Sequence, residues 1–173
     1  IIWRARFDAG FRTDGWGLTV DNSDASSIYI AGSINANNVS IDSKSMLTKI
    51  DLADGEPQWS KIYDFGFDSE SPVVDVASDG NPVMVGYAED SSANYITVTK
   101  VDRTDGSVIW SRKFDGQGYD YAYGMGVGPS GEVVAVGYID QYTDVIAPYS
   151  VTPQTGSTTE VLVINRSDLS GAT

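Results

Sequence analysis

Two stretches of the chain match almost residue for residue: Trp59-Ser60-Lys61-Ile62-Tyr63-Asp64 and Trp110-Ser111-Arg112-Lys113-Phe114-Asp115. A looser copy, Trp3-Arg4-Ala5-Arg6-Phe7-Asp8, precedes both of them. The tryptophans recur roughly every 50 residues, a spacing typical of solenoids, propellers and arrays. The repeat therefore predicts similar structural units that follow one another along the chain.

Each unit has the pattern of four short β-strands separated by turns. The first strand is apolar and rich in small residues: 17–21, 73–76 and 124–127. The second strand is almost continuously apolar, as expected of strands covered on both faces: 28–32, 83–87 and 133–138. The third strand alternates more: 46–51, 96–102 and 161–165. An Asp-Gly turn, at Asp54-Gly55 and Asp105-Gly106, then leads to the strand that carries the tryptophan.

Three successive four-stranded meanders predict an all-β fold in which antiparallel sheets stack face to face around an axis, as in a β-propeller. A blade of this kind cannot bury its faces alone and depends on its neighbours. The alternative is a β-sandwich, which needs about seven strands and no repeat. No helix beyond a turn is expected, and six valines are predicted to be buried: Val74, Val76, Val83, Val85, Val134 and Val136.

The repeat gives a single repeat domain, residues 1–173, with an incomplete frame. Ile1–Phe7 is predicted to be an outer strand without a blade, followed by blade 1 (8–63), blade 2 (64–114) and blade 3 (115–173). Blade 3 lacks its outer strand, and three blades are fewer than the typical four to eight. The apolar strand Ile1–Phe7 and the open edge at residues 161–165 therefore predict pairing with other copies or with further blades of a longer chain.

One segment resembles a known family. Lys100-Val101-Asp102-Arg103-Thr104-Asp105-Gly106-Ser107-Val108-Ile109-Trp110 is similar to the tryptophan-docking repeat of quinoprotein-like propellers. The wider unit resembles a β-propeller repeat of bacterial surface and secreted proteins, with related repeats in some phage particle proteins. The resemblance implies that Trp3, Trp59 and Trp110 have a structural role, packing between blades. The Asp105-Gly106-x-x-x-Trp110 spacing departs from the Asp-box of sialidases, so no glycosidase residues are implied.

The composition excludes several classes of function. The chain has 173 residues, a net charge of −13, and neither cysteine nor histidine. Nucleic acid is not an expected partner because phosphate binding needs a basic surface. No apolar run approaches the ~18 residues of a membrane span, so no membrane insertion is expected. Without His and Cys there is no Ser-His-Asp triad, no thiolate nucleophile and no His-ligated zinc.

Four aromatic residues are candidates for binding: Trp16, Tyr119, Tyr121 and Tyr142. Trp16 has no tryptophan counterpart, since Val73 or Tyr123 occupies the equivalent region. The tyrosines belong to the tyrosine-rich third unit, and tyrosine provides a rigid contact area with a polar tip that suits a glycan or a protein. Packing between blades, with the hydroxyl groups at the rim, is the favoured interpretation of these tyrosines, and binding is the alternative.

The charged residues of the loops and third strands give weaker signals. Asp21-Asn22-Ser23-Asp24 is only weakly similar to a calcium-binding pattern, and Asp in turns usually caps its own backbone. No cofactor and no metal are therefore predicted, with calcium as the alternative. Lys49 and Lys100 recur at the same place in two units and are predicted to form exposed cross-strand charge pairs.

These observations predict a non-enzymatic, extracellular β-propeller module. Its role would be structural or adhesive, on a cell surface, in a secreted assembly or in a virus particle, with a glycan or protein as a further partner. The alternative is a fragment of a propeller enzyme, either a quinoprotein-like dehydrogenase or a polysaccharide-cleaving enzyme.

Overall fold

The computed structural model describes residues 3–4, 12–23, 26–35, 42–90, 93–114, 119–129 and 131–138, and the backbone of residues 159–164. These residues form β-strands and turns, with no helix. The strands are β1 Arg12–Val20, β2 Ser27–Asn35, β3 Ser43–Asp51, β4 Pro57–Tyr63, β5 Asp68–Val76, β6 Pro82–Glu89, β7 Asn94–Val101, β8 Val108–Phe114, β9 Tyr121–Val127, β10 Val133–Tyr138 and β11 Thr159–Ile164.

The strands form three antiparallel sheets. The first sheet has the order β1-β2-β3-β4 and the second has the order β5-β6-β7-β8. The third sheet has the order β9-β10-β11, with three strands in the part of the chain that the structure describes. The predicted all-β class is confirmed, and the four-strand prediction holds for two sheets. None of the sheets closes on itself, and their identity as propeller blades stays a prediction.

Glycines in the left-handed region make the predicted hairpin turns possible. Gly55 and Gly106 have φ angles of 82° and 74°, and they join the third and fourth strands of the first and second sheets. Gly80, with a φ of 80°, joins the first two strands of the second sheet. Residues with a Cβ rarely adopt these angles, so each turn needs its glycine. The Asp-Gly pairs in the sequence therefore predict the positions of these turns correctly.

The sheets stack in the order of the sequence, and each interface has its own core. At the interface of the first and second sheets, the core is formed by Tyr29, Ala31, Leu47, Tyr63, Val74, Met84 and Val101. At the interface of the second and third sheets, it is formed by Ala77, Val83, Val85, Ile96, Val98, Ala122, Val133 and Ala135. A fully buried aliphatic side chain contributes about 1.5–3 kcal/mol, so these two interfaces hold the stack together.

The six valines predicted to be buried divide into two groups. Val74, Val83 and Val85 are buried, whereas Val76, Val134 and Val136 are only half-buried, so the prediction is wrong for these three. Val133 and Ala135 of the same strand β10 face the second sheet, and alternation turns Val134 and Val136 to the opposite face. That face has no sheet on it among the described residues. Val76 packs only partly against the first interface, near the end of β5.

A β-bulge recurs at one position of each first strand. The register of the strand pair shifts between Gly15 and Gly17 in the first sheet, between Glu70 and Val73 in the second, and opposite Val136 and Gly137 in the third. The residue that faces each bulge on the second strand is a glycine, namely Gly32, Gly86 or Gly137. A Cβ at any of the three would collide with the bulge carbonyl, that of Asp14, Glu70 or Tyr121. Each bulge therefore needs its glycine.

The bulge gives a direct test with a matched control. Gly86→Ala should lower the free energy of unfolding by about 1–3 kcal/mol or more, because the backbone of Glu70 must move. Gly126→Ala, in the first strand of the third sheet, should change it by less than about 0.5 kcal/mol, since nothing lies within 4 Å of the added Cβ. Urea denaturation measures both values, and equal costs would contradict the role of the bulge.

Candidate functional site

The interface of the first and second sheets is locked by a tryptophan docking contact. The Trp59 Nε1–H on β4 donates to the carbonyl of Arg103, at 3.1 Å, in the turn between β7 and β8. Its ring covers Gly106 so closely that an added Cβ would lie 2.9 Å from Trp59 Cζ3. Glycine is therefore required at this turn both for its φ angle and for the tryptophan above it.

Trp3 makes the same contact one unit earlier. Its Nε1–H donates to the carbonyl of Leu52, at 2.7 Å, in the turn between β3 and β4. A Cβ on Gly55 of that turn would lie 2.6 Å from Trp3 Cε3. Trp3 thus occupies, relative to the first sheet, the place that Trp59 occupies relative to the second sheet. The same indole-to-carbonyl hydrogen bond is therefore repeated in two successive units.

The third tryptophan of the repeat lies in a less complete setting. Trp110 on β8 is half-buried and packs against the core of the second and third sheets. The turn that would receive it by analogy, residues 165–171, lies outside the described residues. The role of Trp110 as a docking residue therefore stays a prediction.

Further polar contacts reinforce the docking contact of Trp59. The carbonyl of Arg103 also accepts a hydrogen bond from Lys49 Nζ at 3.3 Å, and the Tyr63 hydroxyl donates to the carbonyl of Gly106 at 2.8 Å. Lys49 is buried in this interface, so its prediction as an exposed residue is wrong. Its long side chain crosses to the second sheet, where the carbonyl of Arg103 accepts a hydrogen bond from the ammonium group. Lys100 instead pairs with Asp79 at 2.6 Å.

A cavity of about 680 Å³ opens between the first and second sheets, at the ends of strands β3, β7 and β8. Its lining combines aromatic side chains with charges of both signs: Asp42, Lys44, Asp64, Phe65, Gly66, Phe67, Asp90, Tyr95 and Lys113. The Trp-docking turns lie at the opposite ends of these strands. This strand-end cavity falls within the ~300–1,000 Å³ typical of small-molecule sites.

The loop between β4 and β5, which forms one wall of the strand-end cavity, is pinned by Lys44. The Lys44 ammonium lies 3.0 Å from Asp42, 3.1 Å from Asp64 and 2.6 Å from the carbonyl of Gly66. Burial alone would lower the pKa of Lys44, but the two carboxylates raise it above its usual range. Lys44 therefore stays charged and holds the loop in place.

The opposite wall is formed by Tyr95 and Lys113. The Tyr95 hydroxyl donates to the carbonyl of Phe65 at 2.5 Å, and the ammonium of Lys113 donates to the Tyr95 oxygen at 2.5 Å. The same ammonium lies 4.0 Å from the centre of the Tyr95 ring. The loop is thus anchored from both sheets, while the Phe67 side chain at its end remains 66% exposed.

A tyrosine cluster lies on the other side of the second sheet. Tyr87 and Tyr121 meet edge to face at 4.8 Å, and Tyr121 stacks with Tyr123 at 6.3 Å. The Asn94 side-chain amide donates to the Tyr121 hydroxyl at 2.7 Å. Of the predicted binding residues, Tyr121 is in this cluster, Tyr119 is exposed beside it, and Tyr142 lies outside the described residues.

Trp16 lies at the bulge of β1 and is 56% exposed. The repeated bulge gives its equivalents as Pro72 in the second sheet and Tyr123, which is 69% exposed, in the third. The prediction of Tyr123 at this position is confirmed, whereas Val73 is wrong by one residue. The structure does not bring Trp16 into contact with the tyrosine cluster, because the second sheet lies between them.

Most aspartates of the described turns cap their own backbone. Asp21 accepts the N–H of Ser23 at 2.9 Å, and Asp51, Asp54, Asp102 and Asp105 accept N–H groups two residues further along, at 2.7–2.9 Å. No group of three or more carboxylates in the described part of the chain is arranged to hold a metal ion. The turn aspartates therefore have a structural explanation.

Glu70 lies at the bulge of β5 in the second sheet. Burial raises the pKa of its carboxyl group, the Asp68 carboxylate raises it further, and a hydrogen bond from Tyr87 works in the opposite direction. Burial also raises the pKa of Tyr87 itself. The surroundings of Glu70 therefore favour the protonated, neutral form of its carboxyl group.

No protein-family model matches the chain, and the search of curated proteins finds no match. Among the described residues, no helix is long and apolar enough to cross a membrane.

The docking contact predicts a graded loss of stability. Trp59→Ala should lower the free energy of unfolding by about 3 kcal/mol, since it removes a large side chain from a core. Trp59→Phe keeps a ring but loses the bond to Arg103, and should cost about 1 kcal/mol. Trp16→Ala is the control and should cost less than about 0.5 kcal/mol. Chemical denaturation ranks the three, and an equal effect of Trp59→Ala and Trp16→Ala would contradict the docking role.

Glu70 predicts a pH dependence of stability. A carboxyl group whose pKa is raised on folding binds its proton more tightly in the folded state, so its ionisation at higher pH costs stability. Glu70→Gln removes this cost and keeps an oxygen for Tyr87, so the variant should melt at a higher temperature than wild type at pH 7. The advantage should disappear below about pH 4. Glu56→Gln, at an exposed turn, is the control, and a pH-independent effect of Glu70→Gln would contradict the assignment.

Proposed function

We propose that the chain is a structural module of β-propeller type that assembles by stacking sheets of the same repeat, in an extracellular, surface or virus-particle setting. The single observation that carries this proposal is the repeated docking contact of Trp3 on Leu52 and of Trp59 on Arg103. The second contact joins two sheets of the chain. In the first contact, Trp3 occupies the place where the fourth strand of a sheet preceding the first sheet would position its tryptophan.

The packing of the first strands supports the proposal. Val74 and Val76 of β5 pack on the first sheet, and Met125 and Val127 of β9 pack on the second sheet. Counted from the bulges, the equivalent residues of β1 are Leu18 and Val20, and Leu18 is 61% exposed. Ile30 of β2 is half-buried, although its equivalents Met84 and Ala135 are each only 1% exposed. The first sheet thus has an apolar face of the kind that a preceding sheet covers.

The third sheet has the complementary face. Val134 and Val136 are the equivalents of Tyr29 and Ala31, which the second sheet covers in the first interface. They are half-buried in the part of the chain that the structure describes. We therefore assign the third sheet of a second copy as the partner of the Leu18–Val20 face. Contacts of this head-to-tail type give a ring if they close and a filament if they do not.

Charge sets the conditions for this assembly. Each copy carries a net charge of −13, so two copies repel one another over about 10 Å at moderate ionic strength. Added salt screens the repulsion and leaves the apolar contact intact. Association that strengthens with salt is therefore expected, which is opposite to the behaviour of an interface held by ion pairs.

The proposed interface is tested by a charge at its centre. Leu18→Glu should weaken self-association of the 173-residue chain by at least about tenfold, because an unpaired carboxylate would be buried. Ile109→Glu, at a residue 44% exposed on the outer strand β8, should have no such effect. Sedimentation analysis at two salt concentrations measures both. A wild-type chain that remains monomeric at every concentration would refute assembly through this face.

A further inference from the structure

We propose that the strand-end cavity binds a short neutral oligosaccharide, with Phe67 as the surface on which a sugar ring stacks. A sugar-binding site goes beyond the structural role proposed above. It depends on contacts separate from the sheet-stacking faces, since Leu18 and Val134 do not line the cavity.

Phe67 presents an aromatic ring at the mouth of the cavity, since the residue is two-thirds exposed and lines the cavity together with Phe65 and Tyr95. A ring in such a lining offers a face on which the C–H groups of a sugar can pack. The loop of Phe67 is held by the ammonium of Lys44, by the Tyr95 hydroxyl, and by the bond from the Phe67 N–H to the carbonyl of Glu89 at 2.9 Å. The ring is therefore presented on a fixed backbone, which lowers the entropy cost of binding.

The lining of the cavity contains charges of both signs. Three carboxylates (Asp42, Asp64 and Asp90) stand with two ammonium groups (Lys44 and Lys113) around aromatic side chains. An anionic ligand would meet three carboxylates and the net charge of the chain, and a cationic ligand would meet two ammonium groups. A neutral polyhydroxylated ligand can donate to the carboxylates, while its C–H face covers an aromatic ring.

The position of the cavity favours a sugar over a polypeptide as its ligand. A peptide that binds as an added strand needs a free sheet edge with unpaired backbone groups. The residues of the cavity lie at strand ends instead: Lys44 near the start of β3, Tyr95 near the start of β7 and Lys113 near the end of β8. Three residues of the lining, Asp42, Asp64 and Asp90, have carboxylates that can accept hydrogen bonds from hydroxyl groups.

The test uses the 173-residue chain on an array of neutral oligosaccharides of glucose, galactose, mannose and N-acetylglucosamine, with sulfated and uronic-acid glycans and a panel of extended peptides beside them. Binding to at least one neutral oligosaccharide and to no anionic glycan is expected. Binding to none of the neutral oligosaccharides, or to peptides alone, would overturn the proposal.

Two matched variants then locate the site. Phe67→Ala should weaken binding of the neutral oligosaccharide at least tenfold by titration calorimetry. Tyr123→Ala removes an aromatic ring of nearly equal exposure, 69% against 66%, and should leave the affinity unchanged. Unchanged affinity in Phe67→Ala, or equal losses in both variants, would show that the sugar binds elsewhere.

A second readout separates this proposal from sheet stacking. Phe67→Ala should self-associate like the wild type, and Leu18→Glu should bind the oligosaccharide like the wild type. If the chain binds sugar but never self-associates, the stacking proposal fails and the cavity assignment stands. If it self-associates but binds no neutral sugar, the cavity assignment alone fails.

Discussion

A hydrogen bond from a tryptophan indole to a backbone carbonyl of the next sheet is the contact on which the rest of the structure depends. Sheets that are apolar on both faces need a neighbour on each side, but apolar contact alone does not fix how two sheets lie on one another. The bond from Trp59 to Arg103, with the ring seated on Gly106, fixes that relation at one end of the interface. Lys49 and Tyr63 add two more donors to the same turn, so the turn is held by three side chains of the first sheet.

The sequence was sufficient for the strands and their turns because both follow local rules. Alternation, continuous apolar runs and Asp-Gly pairs place the strands of the first two sheets, and Gly55 and Gly106 have the positive φ angles that the turns need. The bulges were not predicted, although a proline inside a strand, such as Pro72, is one sequence signal of a bulge. Their trace is the glycine opposite, Gly32, Gly86 or Gly137, and its reason becomes visible only once two strands are paired.

The candidate site was harder to predict than the fold, for a physical reason. The strand-end cavity gathers Lys44, Phe67 and Lys113 from three separate parts of the chain, so no spacing in the sequence connects them. Lys49 was expected in water, whereas tertiary structure buries it beside the Arg103 carbonyl. The one available signal was Phe65-Gly66-Phe67, an aromatic pair in a loop where a polar segment would be usual. Exposed aromatic residues in loops are therefore a better guide to this site than the recurring tryptophans.

The two ends of the sheets differ in how much change they tolerate. At one end, the turns after β3 and β7 have the same length, because in each of them a backbone carbonyl, that of Leu52 or Arg103, must accept a hydrogen bond from a tryptophan indole. At the other end, the second and third strands are joined by connections of unequal length: Asn35 to Ser43, Glu89 to Asn94, and Tyr138 to Thr159. The docking contacts on the turns after β3 and β7 are both present although these connections differ in length. This rim of the stack is therefore where the repeat can lengthen without altering the turns that the tryptophans contact.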